Sequence, residues 1–287
     1  MKNYLDCYPC FLRQALSAAR RAGASVDQQR LILLNTMEEL RSLSIDATPP
    51  QMAFKIHQLV RQQTNNPDPY RLAKNEATQQ ALEMYPRLKE LVEKATDPLE
   101  TAVRIAIAGN IIDLGVNDSY DLEATLDRVL KQAFAINDLE PLRLSLANSS
   151  TILYLADNAG ETVFDRVLIE TLGIPVTYAV KAGPIINDAI REDAISAGIN
   201  LVAEIIDNGS DAVGTLLDDC SESFRKRFKQ AKLIIAKGQA NYESLSDTQA
   251  PLFFLLQAKC NIIAQDLEVT EGAVVLKRQT VRNNDLK

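Results

Sequence analysis

With 46% hydrophobic residues over 287 positions, the chain carries enough apolar surface to bury a large core, as one large domain or two of ordinary size. Its 31 basic and 38 acidic residues leave a formal charge of −7 with no long basic run, so nucleic acid and anionic membranes have no electrostatic support as partners. Residues 1–6 lack the apolar core of a signal peptide and no window approaches the about 18 apolar residues of a membrane span, so a cytoplasmic protein with four unpaired cysteines is expected.

Residues 1–147 read as an all-helical region. Phe11 to Ala22 is a first helix stopped by Gly23, and Val26 to Leu43 a second, with apolar Leu31, Leu33, Leu34, Met37 and Leu40 at helical spacing. Pro49 and Pro50 break the chain. Gln51 to Thr64 and Tyr70 to Lys94 continue the helical pattern on either side of Asn65-Asn66-Pro67-Asp68-Pro69, which favours a turn. Thr101 to Ile112 is almost uncharged and predicts a helix buried on every side.

From residue 148 to 277 the period changes. Short apolar runs at Ile152 to Leu155, Val176 to Val180, Leu201 to Ile206, Leu233 to Ala236 and Leu252 to Leu256 alternate with helix-length segments. They predict an α/β unit: a doubly wound, mainly parallel sheet with helices on both faces and the helical region packed on it. Residues 278–287 read as a loose polar tail.

Such a sheet binds ligands at the carboxyl ends of its strands. The first predicted strand ends in Asp157-Asn158-Ala159-Gly160-Glu161, the second in Lys181 to Asp188, the third in Asp207-Asn208-Gly209 and the fourth in Lys237-Gly238-Gln239-Ala240-Asn241-Tyr242-Glu243. Each has a plain structural reading: Asp207-Asn208-Gly209 suits a turn, and Asp188 suits the cap of a helix from Ala189 to Ala197. Together, however, the hard oxygens of Asp157, Asn158 and Asp188, amides at helix starts and a lysine are what a metal-bridged phosphate requires. Mg²⁺ or Mn²⁺ suits these donors best, with Co²⁺ or Ni²⁺ also acceptable.

These segments resemble the damage-control phosphatase family, or ARMT-like domain, formerly a domain of unknown function, in its cysteine-bearing prokaryotic subfamily. The resemblance rests on Cys7-Tyr8-Pro9-Cys10, Asp68-Pro69-Tyr70, Ala108-Gly109-Asn110-Ile111-Ile112-Asp113, Asp157 to Glu161, Gly183 to Asp188 and Lys237 to Glu243, in that order. The family's usual second glycine of the last segment is Ala240 here. The resemblance implies metal-dependent hydrolysis of a small phosphorylated metabolite, with the ion held by Asp157, Asn158 and Asp188. Asp157 is the residue expected closest to the chemistry, as nucleophile or as metal ligand. Lys237 is expected to meet a phosphate oxygen, Gly160 and Gly238 to offer backbone donors beside Glu161 and Asn187, and Asn110 and Asp113 to line the facing wall.

Cys7 and Cys10 fit half of a zinc site, a redox pair, an inert pair or a contact at a pocket mouth. His57 is read as surface or satisfied core. Two other functions are weighed: an S-adenosylmethionine-dependent methyltransferase, although no G-x-G-x-x-G follows the first strand, and a non-catalytic module holding a metal or phosphorylated ligand. The oligomeric state has no signature in the sequence.

Overall fold

The computed structural model describes residues 4–44, 47–110 and 122–279. Five helices come first: α1 (Cys7–Arg21), α2 (Val26–Ser42), α3 (Pro49–Thr64), α4 (Arg71–Glu93) and α5 (Pro98–Gly109). Their starts follow from local chemistry. Ser25 and Thr48 each form a reciprocal capping box with the glutamine three residues on, Gln28 and Gln51. Pro49 and Pro50 therefore open α3 rather than merely interrupting the chain, because proline's missing N–H is harmless in a first turn.

The remaining elements are α6 (Leu122–Lys131), β1 (Phe134–Asn137), α7 (Leu139–Ala147), β2 (Ile152–Leu155), α8 (Thr162–Leu172), β3 (Val176–Val180), α9 (Arg191–Ser196), β4 (Glu204–Asp207), α10 (Glu222–Gln230), β5 (Ile234–Lys237), α11 (Gly238–Leu245), β6 (Leu252–Gln257), α12 (Asn261–Asp266) and β7 (Val274–Arg278). The strands form one sheet in the order β1-β7-β6-β5-β2-β3-β4, with every neighbouring pair parallel except β6 and β7. The protein is thus α/β, with a mainly parallel sheet.

Three expectations need correction. Strand β1 lies inside the region expected to be all-helical and pairs with β7, so the sheet recruits chain from before residue 148. Strand β7 takes in Arg278, expected as the start of a tail, and the Gln279 amide still donates to the Leu252 carbonyl at 2.8 Å. The third predicted strand starts late, since Ile199–Leu201 forms a 3-10 turn before β4. On α2 the inward ridge is Ile32, Thr36 and Leu40, whereas Leu31, Leu34 and Met37 are exposed.

Three apolar clusters build the molecule. One packs α1, α2 and α3 around Phe11, Ile32, Met52, Ile56 and Tyr70, and reaches Ile185 and Val213 beyond the helices. The other two cover opposite faces of the sheet, and the strands alternate between them. Ile152 and Tyr154 of β2, with Ile235 of β5, join α4, α5 and α8 on one face; Leu153, Leu155, Ile234 and Ala236 face the other. From β2 the chain winds outward through β3 to β4, then returns to lay β5 on the opposite side of β2. The carboxyl ends of β2 and β5 therefore flank the point where the winding reverses, where an open sheet leaves a crevice. Among the described residues, no helix is long and apolar enough to cross a membrane.

Candidate active site

Past β2 the chain turns through Asp157 and Asn158, and past β3 it loops from Lys181 to Ile190. Backbone pairing joins the two segments. The Ala159 amide donates to the Asn187 carbonyl and the Ala189 amide to the Asp157 carbonyl, both at 2.8 Å, and Asn158 forms an isolated antiparallel bridge with Asp188. Asp157, Asn158, Asn187 and Asp188 consequently share the wall of one cavity of about 370 Å³, with Gln239 and Ala240 of α11 on the other side of the switch point. Ile186, beside them, has φ 43°, a left-handed conformation that strains a β-branched residue and marks this loop as held by its surroundings. Asp188 is not a helix cap: α9 begins at Arg191, and Asp193 accepts the Ile190 amide at 3.0 Å. By contrast, Asp207-Asn208-Gly209 is the turn expected of it, the Asp207 and Asn208 side chains accepting the Gly209 and Ser210 amides.

Two buried amides position the Asp157 carboxylate. Its Oδ2 accepts from Asn110 Nδ2 at 2.8 Å and from Asn158 Nδ2 at 2.9 Å. The same two amides donate to Glu161 Oε2, at 3.0 and 2.9 Å, so Asp157 and Glu161 are held as a pair. Asn187 Nδ2 donates to Asn158 Oδ1 at 2.7 Å and fixes its orientation. Asn110 Oδ1 is buried without a hydrogen-bond partner among the described residues. Asn110 itself follows the last residue of α5, brought in by the tight crossing of Gly109 over Phe164. Gly238 has φ +77°, and a Cβ there would lie 1.9 Å from Asp157 Oδ2, so only glycine lets the start of α11 approach the carboxylate this closely. Gly160 is buried in the turn before α8, and neither it, Glu161 nor Asn110 is on the cavity wall. Asp113 lies outside the described residues.

Lys237 is not where a phosphate would meet it. Two residues after Ile235, its side chain enters the same layer, fully buried between α5 and α8. There its ammonium donates to Glu161 Oε1 at 2.5 Å, Asp165 Oδ1 at 2.6 Å and the Ala106 carbonyl at 2.9 Å. Three acceptors use all three protons. Burial alone would lower the pKa of this lysine, but the charges of Asp165 and Glu161 outweigh it and raise it to about 12. Tyr154 and Tyr178, stacked with ring centroids 5.2 Å apart, donate their hydroxyls to the two oxygens of Asp165 at 2.7 and 2.6 Å. Burial raises the Asp165 carboxyl above its ordinary pKa, Lys237 opposing and Glu161 adding to the effect. Asp165, in the first turn of α8, is not among the residues that the strand ends point to. Its spacing of four from Glu161, on one helix face, was the available signal.

The cavity wall also carries groups that the strand ends did not announce. Among the described residues, Arg13 of α1 and Lys259 after β6 are the cations of the wall, beside the carboxylates of Asp6, Asp157, Asp188, Glu243 and Glu271. Cys7 and Cys10 of α1 and Cys260 before α12 line it together with Glu243. Burial raises the Cys7 pKa, and the charges of Glu243, Cys10 and Cys260 add to that rise. Among the described residues, no three His, Cys, Asp or Glu side chains gather as a ready metal set. The candidate donors are two carboxylates and one amide, Asp157, Asp188 and Asn158, an all-oxygen set that suits a hard dication. Lys181 stands 3.5 Å from Asp188 Oδ2.

Fold and site together define a doubly wound α/β protein with carboxylate and amide oxygens gathered over its switch point. The chain belongs to the family described as Damage-control phosphatase ARMT1-like domain, which it matches over residues 4–275. It is 36% identical to a damage-control phosphatase of Archaeoglobus fulgidus, over 94% of this chain and 97% of that one. It is also 36% identical to an uncharacterized protein of Methanocaldococcus jannaschii, over 95% of this chain and 94% of that one. The crystal structure of PH1575, a DUF89 family protein of Pyrococcus horikoshii, superposes with a TM-score of 0.87 at 34% identity, covering 98% of this chain and 100% of that one. A curated relative of the same name is called a damage-control phosphatase.

Proposed function

We propose that this protein is a divalent-metal-dependent phosphatase that hydrolyses small phosphate monoesters, such as sugar phosphates or damaged cofactor-related phosphates. The observation that carries the reading is the convergence of Asp157, Asn158 and Asp188 on one cavity at the switch point of the sheet. Two relatives named damage-control phosphatases support it. Asp157, Asn158 and Asp188 would hold Mg²⁺ or Mn²⁺, with Co²⁺ or Ni²⁺ as substitutes, and the bound ion would polarise phosphoryl oxygens and offset developing charge.

The chain's own residues do the rest. Asn110 and Asn158 hold one oxygen of Asp157, keeping the carboxylate oriented toward its task. Asn187 locks the Asn158 amide, and Glu161 with Lys237 anchors both amides from behind. A bound dication would offset part of the charge of the five carboxylates on the wall (Asp6, Asp157, Asp188, Glu243 and Glu271), leaving Arg13 and Lys259 to meet an anionic substrate in place of the buried Lys237. A volume of about 370 Å³ suits a small metabolite, with Phe11, Pro49, Pro50 and Ile262 against its apolar parts.

The test is phosphate release from a panel of sugar phosphates and an aryl phosphate, using chelated protein with and without each of the four metals. Metal-restored release that disappears in Asp157→Asn is the expected result. Silence with every metal and every substrate would overturn the reading and favour ligand binding without turnover.

A further inference from the structure

Three of the four cysteines in the chain meet at this cavity, although Cys7 and Cys10 stand 250 or more residues before Cys260. Cys7 opens α1 and Cys10 follows three residues later, which puts both thiols on one helix face. Cys260 sits at the start of α12, at the end of the loop that leaves β6. Amide side chains address two of the sulfurs: Gln14 Nε2 donates to Cys10 Sγ at 3.4 Å and Gln239 Nε2 to Cys260 Sγ at 3.6 Å. Cys7 is near enough to Cys10, Cys260 and Glu243 to feel the charge of each. All three thiols are half-buried, open enough to the cavity for a small oxidant to reach them. Cys220, buried against the sheet, shares none of this.

We propose that these thiols are an oxidation site, at which a hydroperoxide joins Cys260 to Cys7 or Cys10 and shuts the cavity. The thiolate of one cysteine, a form that burial disfavours at Cys7 and Cys260 and that higher pH populates, attacks the peroxide O–O bond, becomes a sulfenic acid and releases an alcohol, or water when the oxidant is hydrogen peroxide. The second thiolate then displaces hydroxide from the sulfenic sulfur; the S–S bond forms and the hydroxide leaves as water. Two thiols lose two electrons and two protons, and the peroxide takes them up. The bond ties α1, part of the helical cluster, to the loop after β6, part of the sheet, at the wall of the cavity that holds Asp157. Substrate entry is then limited by a covalent strap that a thiol reductant removes. The activity arm of this inference rests on the phosphatase reading; the bond itself does not.

The experiment treats the full-length reduced protein with hydrogen peroxide, maps disulfides by mass spectrometry of non-reduced peptides, and measures phosphate release before oxidation, after it, and after dithiothreitol. The expected result is an intramolecular cross-link between the α1 peptide and the Cys260 peptide, with release reduced about tenfold or more and restored by the reductant. Cys260→Ser, compared with itself before and after peroxide, should show no such cross-link and no reversible loss. A Cys7–Cys10 bond, an intermolecular bond, no cross-link at all, or a cross-link that leaves release unchanged would each overturn the proposal. Should the reduced protein release no phosphate from any substrate, the phosphatase reading fails, while the peptide map still decides whether the bond forms.

Discussion

Two residues at the carboxyl end of β5 show how little freedom the site has. Gly238 admits no side chain, because Asp157 Oδ2 occupies the place of a Cβ and φ is +77°. Gly238→Ala should therefore keep the circular dichroism of the fold but lower phosphate release by about a hundredfold, as displacement of a reacting group by an ångström does. Lys237, its neighbour, is a framework residue. Lys237→Met leaves Glu161 and Asp165 as uncompensated buried carboxylates, which should lower the unfolding free energy in urea by about 3–5 kcal/mol. Were Lys237 instead a phosphate ligand, that variant would stay stable and lose only activity. The sequence showed that Asp157, Asn158, Asp188 and Lys237 lie at strand ends, but not which way each points. For Lys237 the direction follows from strand parity with Ile235, whereas for Asp188 it depends on a loop pairing 30 residues away.

Helix α5 links the two halves of the molecule. Its nearly uncharged sequence predicts burial, and the structure buries Val103, Ile105, Ala106, Ile107 and Ala108, while Arg104, half-buried, stacks over Phe134 and pairs with Glu100. Gly109 lets the helices approach closely: an added Cβ would stand 2.7 Å from Phe164 Cβ. Gly109→Ala should push α5 off α8, lowering stability by about 1–3 kcal/mol and moving Asn110 away from Asp157. Chemical denaturation and phosphate release measured together would check this, and an unchanged activity would show that Asn110 does not position the carboxylate. The long helices were legible because many turns repeat one pattern. Strands β1 and β7 were not, since four or five residues carry little periodicity; β1 depends on a partner about 140 residues distant, and β7 lies between that strand and β6. Helical spacing alone does not choose the buried face of α2, because apolar residues occur on several of its sides; packing against α1 and α3 buries Ile32 and leaves Leu31 and Leu34 exposed.

The architecture explains why chemistry gathers in one place. Reversal of the winding between β2 and β5 opens a crevice, and the segments that follow β2, β3, β4, β5 and β6 close around it with the helical cluster. The helical cluster also carries a pH liability. Burial lowers the His57 pKa from 6.5 to about 3, with the Arg61 charge adding to the effect, and its Nε2 has no hydrogen-bond partner among the described residues. The folded state therefore keeps His57 neutral, while the unfolded chain takes up a proton below pH 6.5. Stability contributed by neutral His57 is present above 6.5 and falls by about 1.4 kcal/mol per pH unit toward 3. His57→Leu should flatten that part of the pH–stability curve. Equal slopes for variant and wild type would locate the acid sensitivity elsewhere.

The central claim is that Asp157, Asn158 and Asp188 form one metal site on which turnover depends. The most direct measurement titrates Mn²⁺ into chelated wild-type, Asp157→Asn and Asp188→Asn protein, following bound metal and phosphate release in the same samples. Tight binding and release in the wild type, with both lost together in each folded variant, is the predicted result. Full metal-dependent release in either variant would contradict the assignment.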